Sequence, residues 1–236
     1  MNIAYNEDCL AAMRKMPDKA FDLAVVDPPY GVKYARGEHG WGVCDNRPSL
    51  KDVEWDEVPP KEYFDELRRV SRNQIIWGGN YFTEYLPPSK CWVVWDKICN
   101  TPNESVFADC ELAWTSFSKV CKLFKLRQMG FISDTRDEDR IHPTQKPTEL
   151  YKWLLMNYAK EGDKILDTHL GSGSSRIAAY DLGFDFVGYE ISKYYFEKEE
   201  ERFARHTAQL SFLRSDDVNE LSQMQFANHS NELRNP

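Results

Sequence analysis

What this chain lacks narrows its identity before any motif is read. None of its 236 residues belong to an apolar run long enough to span a bilayer, so no membrane segment is expected. The opening MNIAYNEDCL has no basic stretch followed by an apolar one, so a cytoplasmic rather than a secreted protein is expected. Six cysteines (Cys9, Cys44, Cys91, Cys99, Cys110 and Cys121) include no Cys-x-x-Cys pair and no histidine at zinc-ligand spacing. Free thiols are the reading, with no metal site. No Gly-Lys-Ser/Thr closes a glycine loop, which excludes a P-loop. Positive charge is also in deficit, at 30 basic against 38 acidic residues and a net charge of −8. That balance argues against non-specific nucleic-acid binding over the whole surface, but it permits a local basic patch.

What is present has the size and rhythm of one α/β domain. Short apolar runs alternate with amphipathic stretches, the pattern of a sheet covered by helices. Candidate strands are Asn2–Tyr5, Leu23–Val26, Gln74–Trp77, Trp92–Trp95, Glu111–Ser116, Lys164–Asp167 and Phe186–Tyr189. In PPKEYFDELRRVSRN, Tyr63, Phe64, Leu67 and Val70 form one apolar stripe. In KPTELYKWLLMNYAK, Pro147 opens a helix whose stripe is Leu150, Trp153, Leu154 and Tyr158. Gly183 reads as a helix stop. Two long irregular segments remain, Gly31–Val58 and about Lys119–Arg140, and loops of that length tend to be functional. The domain is expected over 1–213, with a polar tail at 214–236.

The stretch FDLAVVDPPYGVKYARG raises the first chemical question. Prolines cannot donate to a sheet ladder, so Pro28 and Pro29 end the strand and hold Asp27 and Tyr30 rigidly at its mouth. A second motif, KILDTHLGSGSSRIAAYDLGFDFVGYE, is a strand, a glycine turn, a helix, a second strand and an acid. Gly171 and Gly173 permit close backbone approach at a helix N-terminus. Glu190 lies 19 residues beyond Gly171, near the spacing at which an acid meets a ribose. A nicotinamide dinucleotide would want a third glycine where Arg176 stands, and Asp167 would sit badly beside a pyrophosphate. Asp167 suits an amino group and Glu190 a ribose, as in an amino acid joined to a nucleoside. S-adenosylmethionine is such a molecule.

DPPY after an apolar strand, IHPTQKP at Ile141–Pro147 and LDTHLGSGSS together resemble the amino-methyltransferases of DNA. Their order, catalytic motif before glycine turn, resembles the circularly permuted β group of that family, over about residues 2–206. The resemblance implies a Rossmann-like class I methyltransferase fold, a mostly parallel seven-stranded sheet with helices on both faces. It implies S-adenosylmethionine as cofactor and double-stranded DNA as partner. It leaves room for a homodimer and for a partnered restriction nuclease. Catalysis falls to Asp27, Pro28, Pro29 and Tyr30: Asp27 and the Pro28 carbonyl accept from the target amino group, and Tyr30 stacks on the extruded base. Cofactor contacts fall to Asp8 and Cys9 of NEDCL, Thr144, Lys146, Asp167, Gly171, Gly173 and Glu190. Thr144 and Lys146 are expected near the methionine carboxylate. The family usually has Asp-Pro-Phe before the glycine turn, and this chain has Asp167-Thr168-His169.

DPPY is more typical of adenine-N6 than of cytosine-N4 enzymes, so adenine is the expected target. Phe117–Arg127 holds Lys119, Lys122, Lys125 and Arg127 with no acid. It opens the candidate target-recognition segment at about 119–140. Lys33 and Arg36, with His39 and Trp41, sit in the earlier loop, where they could meet phosphates or fill the gap of a flipped base. Rival readings are a non-catalytic DNA- or cofactor-binding relative and an RNA methyltransferase. The intact Asp27, Pro28, Tyr30 and both glycines count against the first.

Overall fold

The computed structural model describes residues 1–31, 57–99, 108–129, 132–133 and 140–209. Lys33, Arg36, His39, Trp41 and the tail from 210 lie outside the described residues. The chain enters through β1 (Asn2–Tyr5), α1 (Cys9–Met13) and β2 (Phe21–Val26). After the first loop come α2 (Lys61–Val70), β3 (Ser71–Trp77), a single 3-10 turn at Gly79–Tyr81, β4 (Trp92–Asp96) and β5 (Cys110–Thr115). Three short strands follow, β6 (Lys122–Lys125), β7 (Gln128–Met129) and β8 (Ile132–Ser133). The second half comprises α3 (Thr148–Tyr158), β9 (Lys164–Asp167), α4 (Ser174–Asp181), β10 (Asp185–Tyr189) and a helix over 193–209.

Among the described residues eight strands make the main sheet, in the order β1-β10-β9-β2-β3-β5-β4-β6, and β7 pairs with β8 apart from it. The seven strands read from the sequence are all present, and β6 adds an eighth edge. Expectation had left Lys122–Lys125 in an irregular segment; instead it pairs in parallel with β4, Val93 against Lys122 through Asp96 against Lys125. The sequence KLFK hides this strand because a short, lysine-rich strand is how a sheet edge is kept from pairing further. Within the main sheet the β3·β5 and β5·β4 pairings are antiparallel and the others parallel.

Both faces of the sheet are covered, which is why its central strands are apolar throughout. Leu23 and Val25 of β2 face Leu150, Leu154, Leu155 and Tyr158 of α3, with Ala178 and Ala179 of α4. Ala24 and Val26 face Met13 of α1 and Tyr63, Phe64, Leu67 and Val70 of α2. Each such fully buried side chain contributes roughly 1.5–3 kcal/mol. The α2 stripe is the one its spacing predicts. In α3, Tyr151 and Leu155 join the buried face, while Trp153 is only partly buried against it. Gly183, at φ +77°, ends α4 as expected.

β9 and β2 are neighbours, with Leu23 beside Ile165 and Ala24 beside Leu166. From β2 the chain proceeds through α2 to β3 on one side, and from β9 through α4 to β10 on the other. The order of the sheet therefore reverses between β2 and β9. In open α/β sheets, ligands bind beyond the carboxyl ends of the strands at such a point. Asp27 follows β2 there, and Asp167 closes β9.

Candidate active site

Asp27 is held from two sides. Its Oδ1 accepts from the Tyr30 hydroxyl at 2.6 Å, and its Oδ2 accepts from Lys146 Nζ at 2.5 Å. Lys146 is buried in the turn before α3 and also lies 3.1 Å from Glu111 Oε2, while Lys97 Nζ donates to Glu111 Oε1 at 2.9 Å. Two acids and two ammonium groups thus alternate from Lys97 to Asp27. Burial pushes the Asp27 carboxyl above its ordinary value, and the Lys146 ammonium opposes that rise. Burial would also raise Glu111, but Lys146 and Lys97 outweigh it and bring the carboxyl to about 2. Lys146 is raised despite burial because both acids hold its proton.

Tyr30 owes its place to glycine. At Gly78 (φ +68°) a Cβ would lie 2.1 Å from the Tyr30 ring, so a larger residue there would expel it. The ring stacks on Tyr81, with centroids 4.9 Å apart and planes 13° from parallel, and meets the edge of Phe82 at 6.0 Å. Tyr81 is about half exposed. A stack of two tyrosines, one half-buried and one open to solvent, therefore stands beside the carboxylate.

One strand away, the glycine turn is organised by its own acids. Asp167 Oδ1 accepts from the His169 N–H at 3.0 Å, and Oδ2 from Ser175 Oγ at 2.5 Å. Burial raises this carboxyl to about 7 against those two donors. Glu190 accepts from the Gly171 N–H and the Ser192 N–H, each at 2.8 Å. Gly171, at φ +53°, lies under the His142 ring, which a Cβ would meet at 3.7 Å. Burial and the Lys146 charge lower His142 to about 3, so it is neutral at physiological pH. The departure at Thr168-His169 has a structural counterpart: Tyr63 Oη and Thr168 Oγ1 are 2.6 Å apart, and His169 Nδ1 is 3.0 Å from Thr168 Oγ1.

The expected site residues thus divide. Asp27, Tyr30 and Lys146 come together, and so do Asp167, Gly171 and Glu190. Lys146 has Asp27 and Glu111 as partners, where the resemblance implied the cofactor carboxylate. Thr144 Oγ1 is 3.0 Å from His142 Nδ1. Asp8 caps α1, its Oδ1 accepting from the Leu10 N–H at 2.8 Å. Cys9, in the first turn of α1, is a partly buried thiol that desolvation raises to about 12. Gly173 (φ +76°) packs on Glu199, which a Cβ would meet at 2.5 Å, so a side chain there would displace Glu199.

The basic patch is split by β6. This strand runs parallel to β4, so Lys125 and Arg127 reach the edge that carries Asp27 and Lys122 starts from the opposite edge. Lys119 donates to the Asn157 carbonyl at 2.9 Å and lies 4.8 Å from the Tyr158 ring centre.

Glu111, Lys97 and Tyr81 were missed by sequence reasoning. Glu111 reads as an ordinary charge at a strand start; it reaches the site because β5 runs antiparallel, so its first residues lie where the other strands end. The Gly78-Gly79 turn after a buried strand was the available signal for Tyr81.

A Rossmann-like sheet with a carboxylate and a glycine turn at one switch point has the architecture of a nucleotide-type ligand site. Residues 72–201, more than half of the chain, match the family described as DNA methylase, of the N6/N4 type, and the chain belongs to that family. Type II methyltransferase M.HinfI of Haemophilus influenzae is 24% identical over 248 residues, 86% of this chain and 68% of the relative. TTHA0409 of Thermus thermophilus, solved complexed with S-adenosyl-L-methionine, superimposes with a TM-score of 0.57 at 18% identity. That match covers 87% of this chain and 96% of the other. The cytosine-N4-specific PvuII DNA methyltransferase gives 0.53 at 13% identity, covering 87% and 93%. Among the described residues no helix is long and apolar enough to cross a membrane, and no cluster of metal-ligating side chains is found.

Proposed function

We propose that this DNA methylase moves a methyl group from S-adenosylmethionine to the N6 amino group of an adenine flipped out of double-stranded DNA. The observation that carries the reading is the rigid Asp27–Tyr30 pair one strand from the Asp167–Glu190 cradle. The donor set suits the cofactor. Asp167 offers a buried carboxylate to an amino group, Glu190 offers one to ribose hydroxyls, and Gly171 leaves room for close approach. When bound, S-adenosylmethionine supplies the methyl group on its sulfonium.

Asp27 and the Pro28 carbonyl do the remaining work. An exocyclic amine is a poor nucleophile because its lone pair is delocalised into the ring. Two acceptors on its N–H groups let the nitrogen pyramidalise toward the methyl group, so orientation and proximity dominate. Methyl transfer would leave the cofactor as a neutral thioether, and the proton shed by the methylated amine would pass to solvent. Flipping the base costs roughly a few kcal/mol. Stacking on an aromatic such as Tyr30 or Tyr81 returns about 1–3 kcal/mol.

Cytosine N4 is the second reading, favoured by the fold shared with the PvuII enzyme. Incubation with methyl-labelled cofactor and unmethylated duplex DNA, then digestion to nucleosides, separates the two. Label in N6-methyldeoxyadenosine is the expected outcome. Label in N4-methyldeoxycytidine keeps the mechanism and corrects the base, whereas no label in DNA despite measurable cofactor binding overturns the reading.

A further inference from the structure

Lys146 faces carboxylates from two different strands, and one would suffice to neutralise it. Its Nζ lies 2.5 Å from Asp27 Oδ2 and 3.1 Å from Glu111 Oε2, with the Trp77 ring centre at 5.4 Å and that of Tyr30 at 5.8 Å. In this state Tyr30 and Lys146 each engage one Asp27 oxygen. An incoming N–H must therefore compete with an ammonium ion for Oδ2. If Lys146 withdrew with nowhere to go, a buried charge would be stranded, which a low-dielectric interior penalises heavily.

We propose that Glu111 is a positioning residue that receives the Lys146 ammonium when the target amino group takes its place on Asp27 Oδ2. The exchange moves hydrogen bonds and no proton. Lys146 stays an ammonium and both acids stay ionised, so with Lys97 the four charges sum to zero throughout. Lys97, bonded to the other Glu111 oxygen, anchors the receiving carboxylate. The pairing is visible in the ionisation of the groups: Glu111 is held low by its two lysines, and its charge in turn raises Asp27. Asp27 is also faced by Tyr30 in its own turn, Tyr151 of α3, Tyr63 of α2 and Asp167 of β9. Lys146 is also faced by His142, which is neutral near pH 7.

The inference rests on the proposed role of Asp27 as amine acceptor, and its test keeps the two apart. In Glu111→Gln, kcat on saturating DNA is expected to fall tenfold or more. Cofactor Kd should stay within twofold, thermal stability close to the parent, and Glu111→Asp should recover part of the rate. Removing the Glu111 charge should lower the Asp27 pKa, read by carboxyl carbon NMR, and move the acid limb of the pH–rate profile to lower pH. Should Glu111→Gln fold poorly, Lys97→Met/Glu111→Gln deletes opposite charges together and allows the same readings. An unchanged kcat and pH profile overturns the proposal. So does parallel loss of cofactor binding and stability, which marks a purely structural residue. An Asp27 titration that does not move refutes the coupling whether or not the enzyme is active. If the parent enzyme methylates nothing while the titration still shifts, the functional reading fails and the catalytic role falls with it.

Discussion

Asp27 and Asp167 stand at the ends of neighbouring parallel strands, the first half-buried and the second buried, and are stabilised electrostatically in opposite ways. Asp27 has an internal cation, Lys146, and a phenol. Asp167 has a hydroxyl and a backbone N–H, and among the described residues no ion pair involves it. Burial raises both carboxyls, and at Asp167 the rise reaches about 7. A buried acid without a counter-ion is costly unless a ligand supplies one. On the proposed function, the contrast gives the two sites different partners. Under that proposal Asp167 receives a cationic ligand, and Asp27 a neutral donor that displaces its resident cation.

Breaking the comparison at its stronger end should have the largest effect. Asp27→Ala should reduce turnover by at least about a thousandfold, roughly 4 kcal/mol, while cofactor affinity, read by calorimetry, stays near the parent value. Equal loss of both would merge the two sites into one structural unit. Next, Asp167→Ala should weaken cofactor binding tenfold or more, about 1.4 kcal/mol. The sign of its pH dependence follows from the raised carboxyl: the ionised form binds an amino group, so parental affinity should fall as pH drops below about 7. In Asp167→Asn that fall should vanish, and a persistent one would relocate the titrating group. The smallest contrast divides the basic patch. Lys125→Ala, at the catalytic edge, should weaken DNA binding and lower the salt slope by about 1, whereas Lys122→Ala should leave both unchanged. Equal effects would put the DNA across both edges.

The central strands were legible because they are buried on both faces and read as apolar runs; β9 falls on the residues predicted. The α2 stripe was legible through its 3.6-residue spacing. β6 was not, because a four-residue edge strand with a lysine at each end carries no long apolar run. The same physics governed the site. Asp27, Tyr30, Gly171 and Glu190 were legible because prolines and glycines punctuate the chain beside them. Glu111 and Lys97 carry no such punctuation, and the β6 strand that divides the basic patch looked like loop.

Local chemistry in the chain therefore settled which carboxylates end which strands, where backbone must turn tightly, and which family the motifs resemble. Each of these depends on neighbours within a few residues. Tertiary structure alone decided that Lys146 sits on Asp27, that antiparallel β5 delivers Glu111 to the same ammonium, and that Tyr81 stacks on Tyr30. These contacts join residues from 35 to 119 positions apart in the chain, brought together only by strand order and direction.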